Sequence, residues 1–262
     1  MGDAAATNEE NSLSNLQMTS PKVWGGNRMK HWSVAVIVVV LCTLVCMAQE
    51  NADRKASFVD VPDDPALPQV LLIGDSISMA YTIPVRRLLQ GRANVHRVPM
   101  NSSTTKVGLE NLAAWLGDKQ WDVIHFNWGL HDLTILMGQG GVKNNGSHLV
   151  PLDLYQTNLE ELVRRLKLTK ATLIWASTTP IPDADVAILY RKRGDDIAYN
   201  NVARKIMEKN GIVIDDLYAF ALPRLKKIQM PNDVHFTDEG SEELAEQVAA
   251  SILAALKRRK RD

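Results

Sequence analysis

Two short segments, far apart in the chain, carry the residue types of hydroxyl-nucleophile chemistry. The first is Ile73-Gly74-Asp75-Ser76-Ile77-Ser78, which closes the apolar run Val70-Leu71-Leu72-Ile73. The second is Pro231-Asn232-Asp233-Val234-His235-Phe236-Thr237, just ahead of the last long helical pattern. A serine hydroxyl is a weak nucleophile at neutral pH and needs an adjacent base. A histidine oriented by a carboxylate is the usual solution. Ser76, His235 and Asp233 supply those three groups, with Asn232 as the alternative partner of the imidazole. Position 78 is Ser, so the segment is not G-x-S-x-G, which argues against the nucleophile elbow of α/β-hydrolases. Taken alone, Gly-Asp-Ser also fits a turn and helix cap, and a lone His235 also fits an exposed loop.

The remaining candidates are weaker. Asp75 and Asp132 are expected to order loops by hydrogen bonds. His125 lies within an apolar run and reads as core. His96 and His148 have no ligand spacing to each other, and no His/Asp/Glu cluster has zinc spacing, so no metal site is expected. The two cysteines, Cys42 and Cys46, share one apolar stretch, which leaves no disulfide framework and no thiol nucleophile. Gly138-Gln139-Gly140-Gly141 lacks the Lys-Ser/Thr of a phosphate loop. Asn145-Gly146-Ser147 fits a glycosylation sequon, a short and common pattern.

The elements that must position these groups follow from periodicity. Short apolar runs at 70–73, 94–98, 123–126, 171–176 and 211–214 read as buried parallel strands. Between them, helical patterns occupy 85–89, 108–116, 152–168 and 195–208, and a final one spans 238–256 behind a cap at Thr237 or Asp238. Such alternation predicts an α/β fold with a central five-stranded parallel sheet and helices on both faces. Ligands in such folds bind beyond the carboxyl ends of the strands, just after Ile73, Val98, Phe126 and Ala176.

The chain has 262 residues, 45% of them hydrophobic, and thirty acidic residues balance thirty basic ones. Neutrality gives no electrostatic reason to expect a nucleic-acid partner. Residues 1–27 are polar; Arg28, Lys30 and His31 then precede an apolar run of 16 residues at 32–47 and the small residue Ala48. A basic flank, a short apolar run and a small-residue exit predict an export signal over about 29–48, cleaved before Gln49. The run is short against the ~20 residues that span a bilayer, so the mature chain is expected to be secreted or periplasmic without stable membrane insertion. An uncleaved anchor is the alternative, and Met29 is an alternative start. The expected organisation is a leader and signal at 1–48, a linker at 49–68, one domain at 69–258 and a basic tail at 259–262.

A third segment links the two chemical ones. Phe126-Asn127-Trp128-Gly129-Leu130-His131-Asp132 closes the middle strand. A strand-end Gly-Asp-Ser, this block, and an Asp/His loop before the last helix together resemble the SGNH (GDSL-type) hydrolase superfamily. The resemblance covers about 69–256. It implies a flavodoxin-like three-layer α/β/α sandwich and cofactor-free hydrolysis of oxygen or thio esters, with Ser76 as nucleophile and His235 as general base. It also implies an oxyanion hole made of the nucleophile's own N–H, a glycine N–H after the second strand and an asparagine amide in the third block.

Three departures from that pattern stand out. His131 occupies the asparagine position, where a neutral imidazole can donate one N–H; Asn127 is a fallback. The expected glycine is replaced by Asn101-Ser102-Ser103-Thr104-Thr105, leaving the N–H of Ser102 or Ser103 as donor, and Asn101 as a further contact. The aspartate three residues before the histidine is Asn232, so Asp233, two before, is expected to orient the ring.

Residues 137–151 are polar and follow the third block, as a loop bordering the crevice would. Trp128 adjoins the same loop, placed either to stack on a sugar or to pack beneath. A small-molecule or polysaccharide ester, most simply an O-acetylated carbohydrate, is the expected substrate. A lysophospholipase, a thioesterase and a non-catalytic glycan-binding module are the alternatives.

Overall fold

A computed structural model describes residues 55–137, 143–182 and 189–259. The expected export signal therefore lies outside the described residues. So do the glycine-rich residues Gly138 to Gly141 and the last three residues of the basic tail.

Five strands form one parallel sheet: β1 (Gln69–Ile73), β2 (Asn94–Arg97), β3 (Val123–Phe126), β6 (Thr172–Ala176) and β8 (Val213–Asp215), in the order β2-β1-β3-β6-β8. The β1 register runs Val70 to Val95 on one side and Val70 to Val123 on the other. Alternate β1 residues explain the layers. Val70 and Leu72 face one core, shared with α1 (Ser76–Leu88) and α7 (Asp238–Arg259). Leu71 and Ile73 face the other, shared with α2 (Thr105–Leu116), α3 (Leu152–Lys167) and α4 (Asp195–Asn210). Burial on both faces is why these strands read as continuous apolar runs rather than alternating ones.

The chain leaves β1 for β2 on one side and returns to β3 on the other. This order reversal opens a crevice between the carboxyl ends of β1 and β3. Ser76 follows the first strand and His131 the second.

Helix α1 starts nine residues before the apolar pattern announced it. Its first turns carry Ser76, Ser78 and Thr82, and Pro84 sits inside it, so periodicity hides the start. Thr237 caps α7, its Oγ1 accepting from the Gly240 N–H at 3.0 Å. The polar stretch at 137–151 is only partly loop. β5 (Lys143–His148) pairs antiparallel with β4 (Ile135–Met137), which also pairs with β7 (Leu189–Tyr190). Neither hydrophobicity nor strict alternation marks β5 in the sequence; its pairing with β4 defines it.

The expected linker is a packed strap over its described part. Ser57 is buried, the Arg86 guanidinium donates to Ala56 O, and Asn94 exchanges hydrogen bonds with the Asp64 backbone at 3.0 and 2.8 Å. His96 bridges Asp60 and Asp63.

Candidate active site

Ser76 opens α1, and the turn that presents it is built tightly. A Cβ at Gly74 would lie 2.6 Å from Ser78 Oγ, so only glycine fits. The Asp75 side chain caps the helix by accepting the Ile77 N–H at 3.0 Å. Beneath the turn lies Arg97, whose guanidinium donates to Gly74 O at 2.8 Å, Asp75 O at 3.2 Å and Ser78 Oγ. Burial pushes the Arg97 pKa down to about 10, which still leaves it charged at neutral pH. A cation thus fixes the carbonyls on either side of the turn. The Ser76 N–H belongs to the first turn of α1, where helix amides have no intrahelical acceptor.

His235 stands on a small hairpin between α6 (Leu225–Ile228) and α7. Gln229 bridges Phe236, Met230 N–H donates to His235 O at 2.9 Å, and Thr237 N–H donates to Ile228 O at 2.9 Å. Asn232 takes the left-handed conformation at the tip, φ 58°, which asparagine tolerates better than most residues. Gly240 lets α7 approach Ile228: a Cβ there would stand 2.1 Å from Ile228 O.

The Ser76 turn and the His235 hairpin meet in the crevice. Ser76 Oγ is 2.8 Å from His235 Nε2, and His235 Nδ1 is 2.7 Å from Asp233 Oδ1. Asp233 also accepts the His235 backbone N–H at 3.1 Å. An ionised carboxylate only accepts, so Nδ1 carries the proton and Nε2 offers its lone pair to the serine hydroxyl. Partial burial works to raise the Asp233 carboxyl. The two hydrogen bonds from His235 outweigh it and leave the pKa lowered, so the group stays ionised. Such a relay can deprotonate a hydroxyl as it attacks a carbonyl, with the carboxylate stabilising the imidazolium that forms. Of the two candidates for orienting the imidazole, Asp233 makes the contact and Asn232 shapes the turn.

His131 stands half-buried on the loop after β3. Its pKa is lowered, first by burial, while nearby Asp75 works against that and Arg191 and His235 add to it. The ring is therefore neutral at pH 7, with one N–H to donate. Asp132 beside it is buried and accepts from the Thr105 N–H at 2.8 Å and Thr105 Oγ1 at 2.6 Å, pinning the start of α2; burial raises its pKa to about 7.

Five expected positions need correction. Ser102 is fully buried, and its N–H donates to Gly74 O at 3.1 Å, extending the sheet rather than facing the crevice. The Ser103 N–H, at a residue with φ 48°, donates to Asn101 Oδ1 at 2.8 Å, so Asn101 caps this turn instead of reaching outward. Trp128 is 1% exposed, with Nε1 donating to Ser102 O at 3.3 Å. It packs beneath the loop, where a Cβ at Gly108 would lie 2.8 Å from its ring. Asn127 is buried and its amide donates to Ala176 O at 2.8 Å, tying β3 to β6. It lines a small cleft beside the Ser76 turn, together with Ser177, Thr178 and Thr179.

Two functional candidates escaped the sequence reading. Arg97 left a signal, a charged residue inside a buried strand. Arg191 left none. Among the described residues, no group of three or more His, Cys, Asp or Glu can hold a metal ion.

The model of the GDSL-like Lipase/Acylhydrolase family matches residues 72–242. Solved structures share the fold at low identity. A lipase/acylhydrolase from Enterococcus faecalis is 18% identical with a TM-score of 0.59, covering 71% of this chain and 95% of that one. The acetyl xylan esterase AlAXEase is 16% identical with a TM-score of 0.57, covering 70% and 99%. Axe2, an acetylxylan esterase from Geobacillus stearothermophilus, is 19% identical with a TM-score of 0.57, covering 71% and 94%. Among curated proteins, none matches significantly.

Proposed function

The chain belongs to the GDSL-like lipase/acylhydrolase family and is a carboxylic ester hydrolase, and from that premise we propose that Ser76, His235 and Asp233 cleave short acyl esters through an acyl-enzyme. The observation that carries the proposal is the hydrogen-bonded line from Ser76 Oγ through His235 to Asp233, at 2.8 and 2.7 Å. Ser76 Oγ attacks the ester carbonyl as His235 Nε2 takes its proton. The same proton then passes to the departing alkoxide. Water, deprotonated by His235 in turn, releases the acid and restores Ser76.

The tetrahedral intermediate needs donors where its negative charge develops. The Ser76 N–H and the neutral His131 ring fill that role in our reading. The engaged amides of Ser102 and Ser103 do not.

The acyl group is short, most simply acetyl, and the alcohol is a carbohydrate. The cleft beside Ser76 is small and is lined by Ile77, Leu130 and Leu217 as well as by Ser177, Thr178 and Thr179; its size, not its polarity, favours a short acyl group over a fatty one. Two of the structures with this fold are acetylxylan esterases, which points the same way. Export completes the proposal, supported by the basic-apolar-small pattern at 28–48. Among the described residues no helix is long and apolar enough to cross a membrane.

The test is hydrolysis of p-nitrophenyl acetate and acetylated xylan by the wild type and Ser76→Ala, with fluorophosphonate labelling. Labelling at Ser76 and loss of turnover in the variant are expected. Unchanged turnover in Ser76→Ala would remove the assignment. Sugar binding with neither labelling nor turnover would indicate a binding module on an esterase scaffold.

A further inference from the structure

The crevice contains a cation that the ester-cleaving relay does not use. The basic run Arg191-Lys192-Arg193 lies between β7 and α4. Arg191 Nε donates to Leu130 O at 3.2 Å, the carbonyl immediately before His131. This bond holds the guanidinium half-buried over the site, close enough for its charge to act on His131 and for the charges of Asp75 and Asp233 to act on it.

Each carboxylate nearby already has a partner. Asp233 holds His235. Asp75 caps α1 above the Arg97 guanidinium. Asp132 is bonded to Thr105. Among the described residues, no carboxylate forms a hydrogen bond or ion pair with Arg191. Arg87, Arg164, Arg165 and Arg204 all find one. A guanidinium carries five N–H donors in a planar fork that suits a carboxylate, and among the described residues only Nε has an acceptor. A half-desolvated cation in that state is costly until an anion arrives.

Resting on the esterase reading, we propose that Arg191 binds a carboxylate on the ester substrate, so that the preferred substrate is an acylated acidic sugar rather than a neutral one. Asp75 and Asp233 repel an anion placed against them. The carboxylate therefore sits on the outer side of the guanidinium, toward exposed Lys192, while the ester faces Ser76. The charge then fixes which acylated position reaches the nucleophile.

The test compares kcat/KM on acetylated polygalacturonate and acetylated xylan for wild type, R191Q and R191K. The acidic-over-neutral ratio is expected to fall at least tenfold in R191Q, to survive largely in R191K, and to shrink with added salt. A ratio that R191Q leaves unchanged overturns the proposal. Equal loss on both esters also overturns it, by assigning Arg191 to bond cleavage. Calorimetric titration of oligogalacturonate into the Ser76→Ala protein needs no turnover. Binding weakened at least tenfold by adding R191Q supports the anion site, and no binding in Ser76→Ala overturns it. Retained binding without wild-type turnover on either ester would sink the esterase reading and leave the anion site standing.

Discussion

Two histidine–aspartate pairs in this domain have nearly the same geometry and unlike surroundings. His235 Nδ1 is 2.7 Å from Asp233 Oδ1, and His125 Nε2 is 3.0 Å from Asp215 Oδ2. The second pair is fully buried, reaching across β6 from β3 to β8. Gln247 of α7 donates to the other Asp215 oxygen at 2.8 Å, and the Tyr81 ring meets the imidazole edge-on. The outer nitrogen of His125 faces no partner. The outer nitrogen of His235 faces Ser76 Oγ at 2.8 Å in an open crevice. The pair alone is therefore not a catalytic signature. What separates a base from a core tie is a hydroxyl on the second nitrogen and a path for substrate.

The contrast is sharpest when each histidine is removed. His235→Gln is expected to lower kcat/KM by about 10³-fold or more, since the hydroxyl loses its base, with little change in thermal midpoint. His125→Leu should do the reverse, leaving turnover per folded molecule close to wild type. It leaves one oxygen of buried Asp215 without its partner while Gln247 still holds the other, at a stability cost on the order of 3 kcal/mol, read by urea unfolding. Large turnover loss in His125→Leu with normal stability would collapse the distinction.

The carboxylates extend the comparison. Asp233→Asn leaves the ring without an anion to stabilise the imidazolium, and turnover is expected to fall by on the order of 10²–10³-fold. A loss below about threefold would mean that the hairpin backbone, not Asp233, orients His235. His131→Leu comes next. Losing one oxyanion donor costs about 10²-fold in kcat, while His131→Asn should keep most of the activity because an amide supplies an equivalent N–H. Equal activity in His131→Leu and wild type would remove His131 from the site.

Much of this was legible in residue order. The five strands of the sheet and the helices between them follow from apolar runs alternating with helical spacing. Ser76 and His235 follow from a strand-end Gly-Asp-Ser and a loop before the last helix. What stayed hidden depends on pairing through space. The N–H of Ser102 looks free in sequence, yet it completes the sheet against Gly74 O. Trp128 reads equally as a sugar platform or a packed ring until the space above Gly108 is seen to hold it. Arg191 is one of three basic residues on a connection, and only its bond to Leu130 sets it apart. The strap at 55–68 reads as linker because its hold on the domain is polar, through His96 and Asn94, and leaves no hydrophobic pattern.

Asp132 is a carboxylate beside the site with no histidine, and its replacement should move turnover least, within about threefold. Its signature is stability against pH. Burial raises its pKa from the ordinary 3.8 to about 7, against the hydrogen bonds from Thr105. In the window between those values the folded chain holds a proton that the unfolded chain has released. The folded state binds more protons there, so stability falls as pH rises from about 4 to about 7. At about 1.4 kcal/mol per pKa unit, the full window corresponds to on the order of 4 kcal/mol. Asp132→Asn cannot ionise, keeps an oxygen for Thr105, and places an amide where Oδ2 has no partner. That substitution carries its own cost, but the cost is the same at every pH. Urea unfolding at pH 5 and pH 8 should therefore show wild type losing stability relative to the variant across the interval. Parallel profiles would mean that Asp132 is ionised in the folded protein throughout, held by Thr105 as firmly as Asp233 is held by His235.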